Sequence, residues 1–558
     1  MRRTNILFIS ILIVFTLLSG SIHQVQADEN DYYVKVRKGL TYFQKVYERV
    51  QSNYVEEIDP YAFVRTGIEG MLQVLDPYTV FIDEDEDARL KIITTGKYGG
   101  VGMEIGIRNN RITVISPIDN SPAQKAGIRA GDILTKINGE SVQTYTTETI
   151  SKLLRGPVGS QVEITILRPG FENEITLILK RDEIIIDDVT FADFVKPGIA
   201  YVRLTSFTEK AAFELAAAIK GMQQKAEITS LILDLRGNSG GLLESAVDIA
   251  GIFLPKGTLV VTTKGFREGP NQFATKFEPL LPDVPLIVMV NEGSASAAEI
   301  VAGCLQDLDR AIILGTRTFG KGLVQKIYNI DKNSSTKIKI TTAKYYIPSG
   351  RCVQKQDYTK DNKVFVFHPA IDSSSVAKNV SFYTSNKRPV YEDGGVTPDR
   401  YIEDNEIDYV ITELWRQSLV FNFTVQYQRT HPQLKNNFQI GSIIFDEFIS
   451  YLAEQNFNYQ IEGENELKKF IAISEKNKFP QELKNETQDL LSKLDVLKKK
   501  DLQNHRQEIM GMLMDELAEK YFGPNEKIRF TQTNDMQLQA AIDLVQNNSE
   551  YKKILAIK

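Results

Sequence analysis

The chain has 558 residues, 42% of them apolar, and carries 66 Lys and Arg against 72 Asp and Glu for a formal net charge of −6. That length exceeds what one hydrophobic core organises and calls for about three or four domains. The mild acidity and the lack of any basic block exclude nucleic acid as a partner and leave no polybasic patch for a membrane surface.

Arg2 and Arg3 precede an apolar run from Ile6 to Leu18, and Val25-Gln26-Ala27 supplies a small-residue cleavage site. The run is short for a bilayer span and fits a secretory leader. The expectation is a signal peptide over 1–27 and a mature chain from near Asp28, placed in the periplasm or otherwise exported. Loss of the two arginines would take the charge from −6 to −8. No cysteine follows Leu18-Ser-Gly-Ser21, which argues against lipoprotein processing. The chain has two cysteines, Cys304 and Cys352, which is no disulfide framework, although an oxidising compartment would permit a bridge. Cys304 reads as a small buried residue.

Residues 28–95 read as a helical region. Tyr33, Val36, Leu40, Phe43, Val46, Val50 and Tyr54 recur at helical spacing as one apolar face. A second helix follows Pro60 and ends at Leu75-Asp-Pro-Tyr, and the acidic run Asp83 to Asp87 reads as a solvated turn or helix start. Residues 97–182 change character. Short β-rich runs at Val101–Ile107, Ile112–Ile115, Ile133–Ile137, Val162–Leu167 and Ile175–Leu179 are punctuated by Gly and Pro, with an Asn-Gly turn at 138–139. Short helices are expected at Ser121–Gly127 and Glu148–Leu154. This pattern resembles a PDZ domain of the circularly permuted kind found in secreted bacterial proteases.

From 183 to 405 strands and helices alternate: strands at Ile199–Leu204, Leu231–Leu235, Leu286–Val290 and Ile312–Gly315, helices at Glu209–Lys225, Leu242–Leu254 and Ser296–Asp307. Such alternation predicts a mostly parallel sheet covered on both faces, with its site beyond the carboxyl ends of the strands. The polar stretch 354–387 reads as an insertion or long loop. Residues 406–558 are helical and rich in Lys and Glu. Leu490, Leu494 and Leu497 form one stripe there; Ile509, Leu513, Leu517 and Tyr521 form another, ended by Gly523-Pro524.

The chemistry concentrates in Asn291-Glu-Gly-Ser-Ala-Ser-Ala-Ala-Glu299 and Thr318-Phe-Gly-Lys-Gly322. Ser296 opens a helix from a turn of small residues, and Ser294 is its nearest rival. Of the four histidines, His23, His368, His431 and His505, none falls between 191 and 350, so Lys321 is the candidate base. It would have to work as a free amine, which burial beside Phe319 and the glycines would favour. The helix N-terminus offers Ala297 N–H to a developing oxyanion, with a second donor from Gly240 or Gly241. Gln325 is placed to orient the lysine or hold substrate. Asp307 is as well suited to an ion pair with Arg310 as to catalysis. No metal site, phosphate loop or other cofactor site is visible.

These strings, together with Gly303 to Asp307, Leu75-Asp-Pro-Tyr, Asp234-Leu-Arg-Gly-Asn-Ser-Gly-Gly241, Ser349-Gly-Arg351 and Gly395-Val-Thr-Pro-Asp399, resemble in order the carboxyl-terminal processing, or tail-specific, proteases of family S41. The resemblance covers about residues 32 to 400. It implies a multidomain α/β protein: a mostly parallel αβ protease core preceded by a PDZ domain, with helical N- and C-terminal regions. It further implies Ser296 as nucleophile, Lys321 as general base and Gln325 in support. Ala298 stands where the family commonly has serine, and Cys352 where a small hydroxyl residue is usual.

Tyr98-Gly-Gly-Val-Gly-Met-Glu-Ile105 resembles the carboxylate-binding loop of PDZ domains, where backbone amides hold a peptide's terminal carboxylate. Gly99, Gly100, Val101, Gly102 and Met103 are the candidate residues, with Val101 and Met103 expected to line an apolar pocket. The implied partners are proteins with apolar or unstructured C-termini. Arg155 and Arg168 are candidates for coupling tail binding to catalysis. The C-terminal helices suggest self-association or adaptor docking. A retired protease acting as a PDZ adaptor is the alternative, disfavoured by the intact serine, lysine and glycine loop; crotonase-like acyl chemistry is less economical still.

Overall fold

The computed structural model describes residues 31–557, apart from 267–268, 332–335, 357, 359–381, 404–407, 435–440 and 462. The leader and most of the stretch 354–387 lie outside the described residues. Among the described residues no helix is long and apolar enough to cross a membrane. The chain forms two compact units, Met1–Phe81 and Ile82–Lys558.

In the first unit, residues 31–53 are helical and pair with Pro60–Gln73, whose first turn is capped by Asp59 accepting from Ala62 N–H at 2.9 Å. The Tyr47 and Phe63 rings stack between them, centroids 6.2 Å apart. The apolar face expected along this helix exists, but Tyr33, Val36, Leu40, Phe43, Val46 and Tyr54 all remain exposed. Asp76 ends the hairpin by accepting from the amides of Tyr78 and Thr79.

The second unit opens on the helix Glu84–Thr95, which begins with a full capping box between Asp83 and Glu86. The acidic run is therefore a helix start, but not a wholly solvated one. Asp87 is buried against Lys91, at 3.0 Å, and Lys337, and these two ammonium groups hold its carboxyl below the ordinary range against the opposing effect of burial.

The PDZ region is an antiparallel sheet in the order Met103–Arg108, Arg111–Pro117, Ile133–Ile137, Gln161–Leu167, Ile175–Lys180, with helices Pro122–Lys125 and Thr147–Leu154. Asn138 and Gly139 both take positive φ, 51° and 80°, the type I′ geometry that Asn-Gly favours in a two-residue hairpin. The strand Met103–Arg108 is an edge strand. Helix Leu419–Thr430 of the C-terminal region packs on this domain: Val425 lies against Gly131, Arg429 against Gly170, and the Phe421 ring under Arg108.

The core sheet runs Val189–Lys196, Ile199–Leu204, Ser230–Asp234, Leu286–Val290, Ile312–Gly315, Arg400–Tyr401, antiparallel at the first pair and parallel thereafter. Leu286–Val290 is apolar at every position, and so is Leu231–Leu233 in the neighbouring strand, because both faces are covered. Leu231, Leu233, Leu286, Val288, Val290 and Ile313 pack under helices Ala211–Lys225, Leu243–Ala250 and Ala297–Asp307. The alternate set, Tyr201, Ile232, Ile287, Met289, Ile312 and Leu314, packs on Leu538, Ala541, Ile542, Leu544, Tyr551 and Leu555. The helices Met536–Gln546 and Asn548–Ile554 therefore form the second cover of the sheet. An antiparallel sheet that the chain pattern did not suggest pairs Leu323–Asn329, Lys337–Tyr346, Leu259–Lys264 and Asn271–Ala274.

The rest of the C-terminal region has its own core. Ile509, Leu513 and Leu517 are buried there with Phe445, Phe448 and Leu414, whereas Leu490 and Leu497 of the other stripe are exposed. On the same helix, Arg506–Phe522, burial and the neighbouring Glu516 and Glu519 push the Asp515 carboxyl up to about 7, against the attraction of Lys527. Between its ordinary 3.8 and about 7 the folded chain holds a proton that the unfolded chain has released, so stability falls as pH rises through that window. Asp515→Asn should raise the urea midpoint above pH 7 and give no gain below pH 4; an equal gain at both ends would show that its charge is not the cause.

Candidate active site

Four donors from two loops meet around one carboxylate. Glu299, fully buried at the third position of the helix Ala297–Asp307, accepts from Ser296 N–H at 2.9 Å and Lys321 N–H at 2.8 Å through Oε2. Its Oε1 accepts from Thr318 Oγ1 at 2.6 Å and Gly320 N–H at 2.7 Å. Burial pushes this carboxyl up, while the hydrogen bonds and the helix N-terminus oppose the rise. Tyr345 closes the other side. Its hydroxyl donates to Lys321 C=O at 2.6 Å and Ser296 C=O at 3.1 Å, and burial keeps it protonated. Both Ser296 and Lys321 are thus fixed at their amide and carbonyl groups by the same two side chains.

Ser296 itself has φ 53° and ψ −111°, outside the usual regions for a residue with a side chain. It sits on a sharp turn between the strand Leu286–Val290 and the helix, and it is half-buried. Ser294 differs. It is fully buried, with its hydroxyl donating to Leu235 C=O at 2.7 Å and accepting from Asn291 N–H at 3.0 Å. Its oxygen has structural work on both sides, which removes it as a rival.

The glycine loop lies directly on the serine turn. A Cβ on Gly240 (φ 97°) would stand 2.6 Å from Ala295 C=O and 2.9 Å from Ala297 N, so only glycine permits this approach. Asn238 C=O accepts from Ala295 N–H at 2.9 Å, and Asn291 Oδ1 accepts from Gly237 N–H at 2.8 Å. Gly240 N–H is already committed to Asn238 Oδ1 at 2.9 Å. Among the described residues, neither Ala297 N–H nor Gly241 N–H makes a hydrogen bond, so Gly241 is the loop glycine with a donor to offer.

Gln325 lies on the strand Leu323–Asn329 and donates to Thr341 Oγ1 at 3.3 Å. Phe319 is 50% exposed and does not supply the enclosure expected of it. Asp307 pairs with buried Arg351 at 2.9 Å, not with Arg310, whose guanidinium instead donates to Phe253 C=O and Leu281 C=O. The geometric reason is that Arg351 enters from the loop beside the helix end, where Asp307 also accepts from Ser349 N–H. Cys304 and Cys352 are separate buried thiols. Burial pushes the first well up and the second to about 11, so neither serves as a nucleophile at neutral pH.

In the PDZ region Gly99 and Gly100 belong to the strand Lys97–Gly100, paired with Asp182–Ile185. Val101 packs into the domain core, so its side chain does not line a ligand pocket; the turn at Gly102 (φ 73°) directs it inward. Met103 and Ile105 lie half-buried on the edge strand. The amides of Val101 and Gly102 donate to nothing among the described residues. Arg168 is engaged by Asp132 at 2.8 Å and by Gly127 C=O, while Arg155 stacks 5.3 Å over the Tyr98 ring.

Sequence reasoning passed over Glu299 and Tyr345. The first had a signal: Ser296 followed three residues later by Glu299 is the spacing of a capping box. Tyr345 had none, because it arrives from the unforeseen antiparallel sheet.

Residues 198–364 match the profile of Peptidase family S41, 113–168 that of a PDZ domain, 410–545 the C-terminal helical domain of a probable PDZ-protease, and 15–86 the N-terminal domain of the activating protease CtpB. A carboxy-terminal-processing protease of Bartonella bacilliformis is 40% identical over 327 residues, which is 58% of this chain and 74% of that relative. The chain belongs to peptidase family S41. It is accordingly a serine-type carboxy-terminal processing peptidase with a PDZ domain. The Synechocystis carboxyl-terminal-processing protease is 36% identical over 54% of the peptidase and 70% of its own length. A solved photosystem II D1 C-terminal processing protease is 26% identical, covering 65% of this chain and 92% of its own with a TM-score of 0.35.

Replacing Glu299 by Gln tests the carboxylate at the centre of the peptidase. Either placement of the amide aims an N–H2 at a backbone N–H donor. The expected result is a loss of about 1–3 kcal/mol of stability for each stranded donor, with kcat reduced 100-fold or more; a variant like wild type in both would deny Glu299 its organising role.

Proposed function

We propose that the peptidase cleaves proteins near their C-termini with a Ser296/Lys321 dyad, after its PDZ domain has taken hold of the substrate tail. The observation that carries this reading is the single oxygen, Glu299 Oε2, that accepts from the amides of both residues. The sealed hydroxyl of Ser294 and the strained turn at Ser296 support it further.

In this mechanism Ser296 Oγ attacks the scissile carbonyl carbon as the unprotonated Lys321 amine takes its proton. The carbonyl π electrons move to oxygen, and the oxyanion faces Ala297 N–H and Gly241 N–H. Collapse expels the amine leaving group, which takes the proton back from Lys321. Water then attacks the acyl-enzyme, with Lys321 again removing and returning a proton. Gln325, on the strand that follows the lysine loop, steadies that loop or contacts substrate backbone.

For the tail, a substrate strand would add to the free edge of Met103–Arg108, with its carboxylate at the amides of Val101 and Gly102. Apolar, unstructured termini suit the half-buried Met103 and Ile105. The N-terminal leader makes the enzyme exported, into the periplasm or beyond the membrane. The C-terminal helices, with Leu490 and Leu497 exposed, offer a surface for self-association or an adaptor.

Ser296→Ala and Lys321→Ala should each lower kcat/KM about 10⁴-fold or more and leave binding of a tail peptide unchanged; wild-type cleavage by either variant overturns the dyad. In parallel, an unfolded substrate with an apolar tail should be cleaved at least tenfold faster than one with a charged tail. Gly102→Ala should erase that preference, because its Cβ would stand 2.4 Å from Ser121 Cβ. Equal cleavage of both tails by wild type would remove tail recognition and leave the peptidase intact.

A further inference from the structure

The glycine loop is held from behind by a residue 299 positions away. Arg236, at its root, uses all of its guanidinium hydrogens on protein acceptors. Nε and one Nη2 hydrogen go to Asp234, at 3.0 and 2.7 Å. The others go to Asp535, at 2.6 Å from Nη2 and 3.1 Å from Nη1, and to Gln537 Oε1, at 3.0 Å. Asp234 is buried at the strand end and is further fixed by the Tyr201 hydroxyl at 2.7 Å. Asp535 in turn caps the helix Met536–Gln546, accepting from Leu538 N–H at 2.9 Å. Buried Gln537 donates to Ile402 C=O at 2.9 Å, next to the last strand of the sheet. On this side of the loop, then, stands a rigid fork fixed by two carboxylates; on the other stands the serine turn, reached through Gly237, Asn238 and Gly240.

We infer that Arg236, Asp535 and Gln537 are positioning residues for catalysis: the start of the helix Met536–Gln546 sets the height of the glycine loop, and so the place of Gly241 N–H opposite Ala297 N–H. This rests on the oxyanion geometry of the proposed mechanism. None of the three touches substrate. Their effect falls on the tetrahedral state, whose charge the loop amide meets, and not on the ground state or the tail-bound complex.

The test uses the full-length enzyme. Asp535→Asn keeps the cap for Leu538 N–H but removes the charge and turns N–H2 toward the guanidinium; Arg236→Lys removes the fork. Both should lower kcat per titrated active site tenfold to 100-fold with KM within twofold. A peptide aldehyde, which forms a tetrahedral adduct, should bind weaker by the same factor as kcat/KM falls, while tail-peptide binding holds. Normal turnover per active site in both variants overturns the inference, and so does a fall in kcat with unaltered aldehyde affinity. If Asp535→Asn does not fold, Gln537→Met decides instead: it removes one acceptor and should show a smaller parallel fall, threefold or more, with no fall counting against the inference. Ser296→Ala run alongside separates the two claims, since persistent cleavage there would sink the dyad itself, whereas a dead Ser296→Ala beside an active Asp535→Asn sinks only the positioning role.

Discussion

Everything near the serine depends on one buried carboxylate satisfying four donors. Glu299 lies where an unpaired charge would be costly, and the fold supplies hydrogen bonds from three backbone amides and a hydroxyl. Those donors come from the serine turn and the lysine loop, whose strands, Leu286–Val290 and Ile312–Gly315, are neighbours in the sheet. Parallel pairing brings both strand ends to one edge, and the carboxylate converts that approximate nearness into a fixed arrangement. The strained backbone at Ser296 is tolerable for the same reason: its N–H and C=O are both held, so the turn has little freedom to relax.

Around that centre, support comes from outside the parallel sheet. Tyr345 reaches in from the antiparallel strands, Arg351 locks the far end of the helix that Ser296 opens through Asp307 and Gln306, and Thr318 exchanges hydrogen bonds with Val396. The helix that carries Ser296 is therefore anchored at both ends, by Glu299 at the start and by Asp307 at the finish. The C-terminal region divides its labour: one part forms a separate helical core that leans on the PDZ domain through Val425 and Arg429, and the rest covers the sheet.

Much of this was legible in the chain. Strands such as Ile199–Leu204, Leu286–Val290 and Ile312–Gly315 were readable because apolar runs bounded by turn residues leave few alternatives, and the turns that carry Ser296 and Lys321 were readable from their glycine-rich flanks. What escaped had physical causes. The antiparallel strand Lys337–Tyr346 interleaves Lys and Thr with its apolar residues and Leu259–Lys264 ends in Thr-Thr-Lys, so neither carries a clean period. The sequence offers Asp307 either the nearby Arg310 or a catalytic role, whereas space supplies Arg351. Val101 looked like a pocket residue because periodicity does not tell the two sides of an edge hairpin apart. The helices over 536–555 are the plainest case: Leu538, Ile542 and Leu544 pack on a sheet begun more than three hundred residues earlier, and nothing local in the chain names that partner.

That last arrangement orders the covering of the sheet along the chain. As the chain emerges during synthesis, the serine turn, the lysine loop and every strand of the central sheet are available while one side of that sheet, from Tyr201 to Leu314, still faces water. Residues 536–555 supply the missing cover, and Tyr551 seals it by bonding both polar groups of Leu286. A chain still lacking residues 536–555 thus carries its chemical groups on a half-clad sheet.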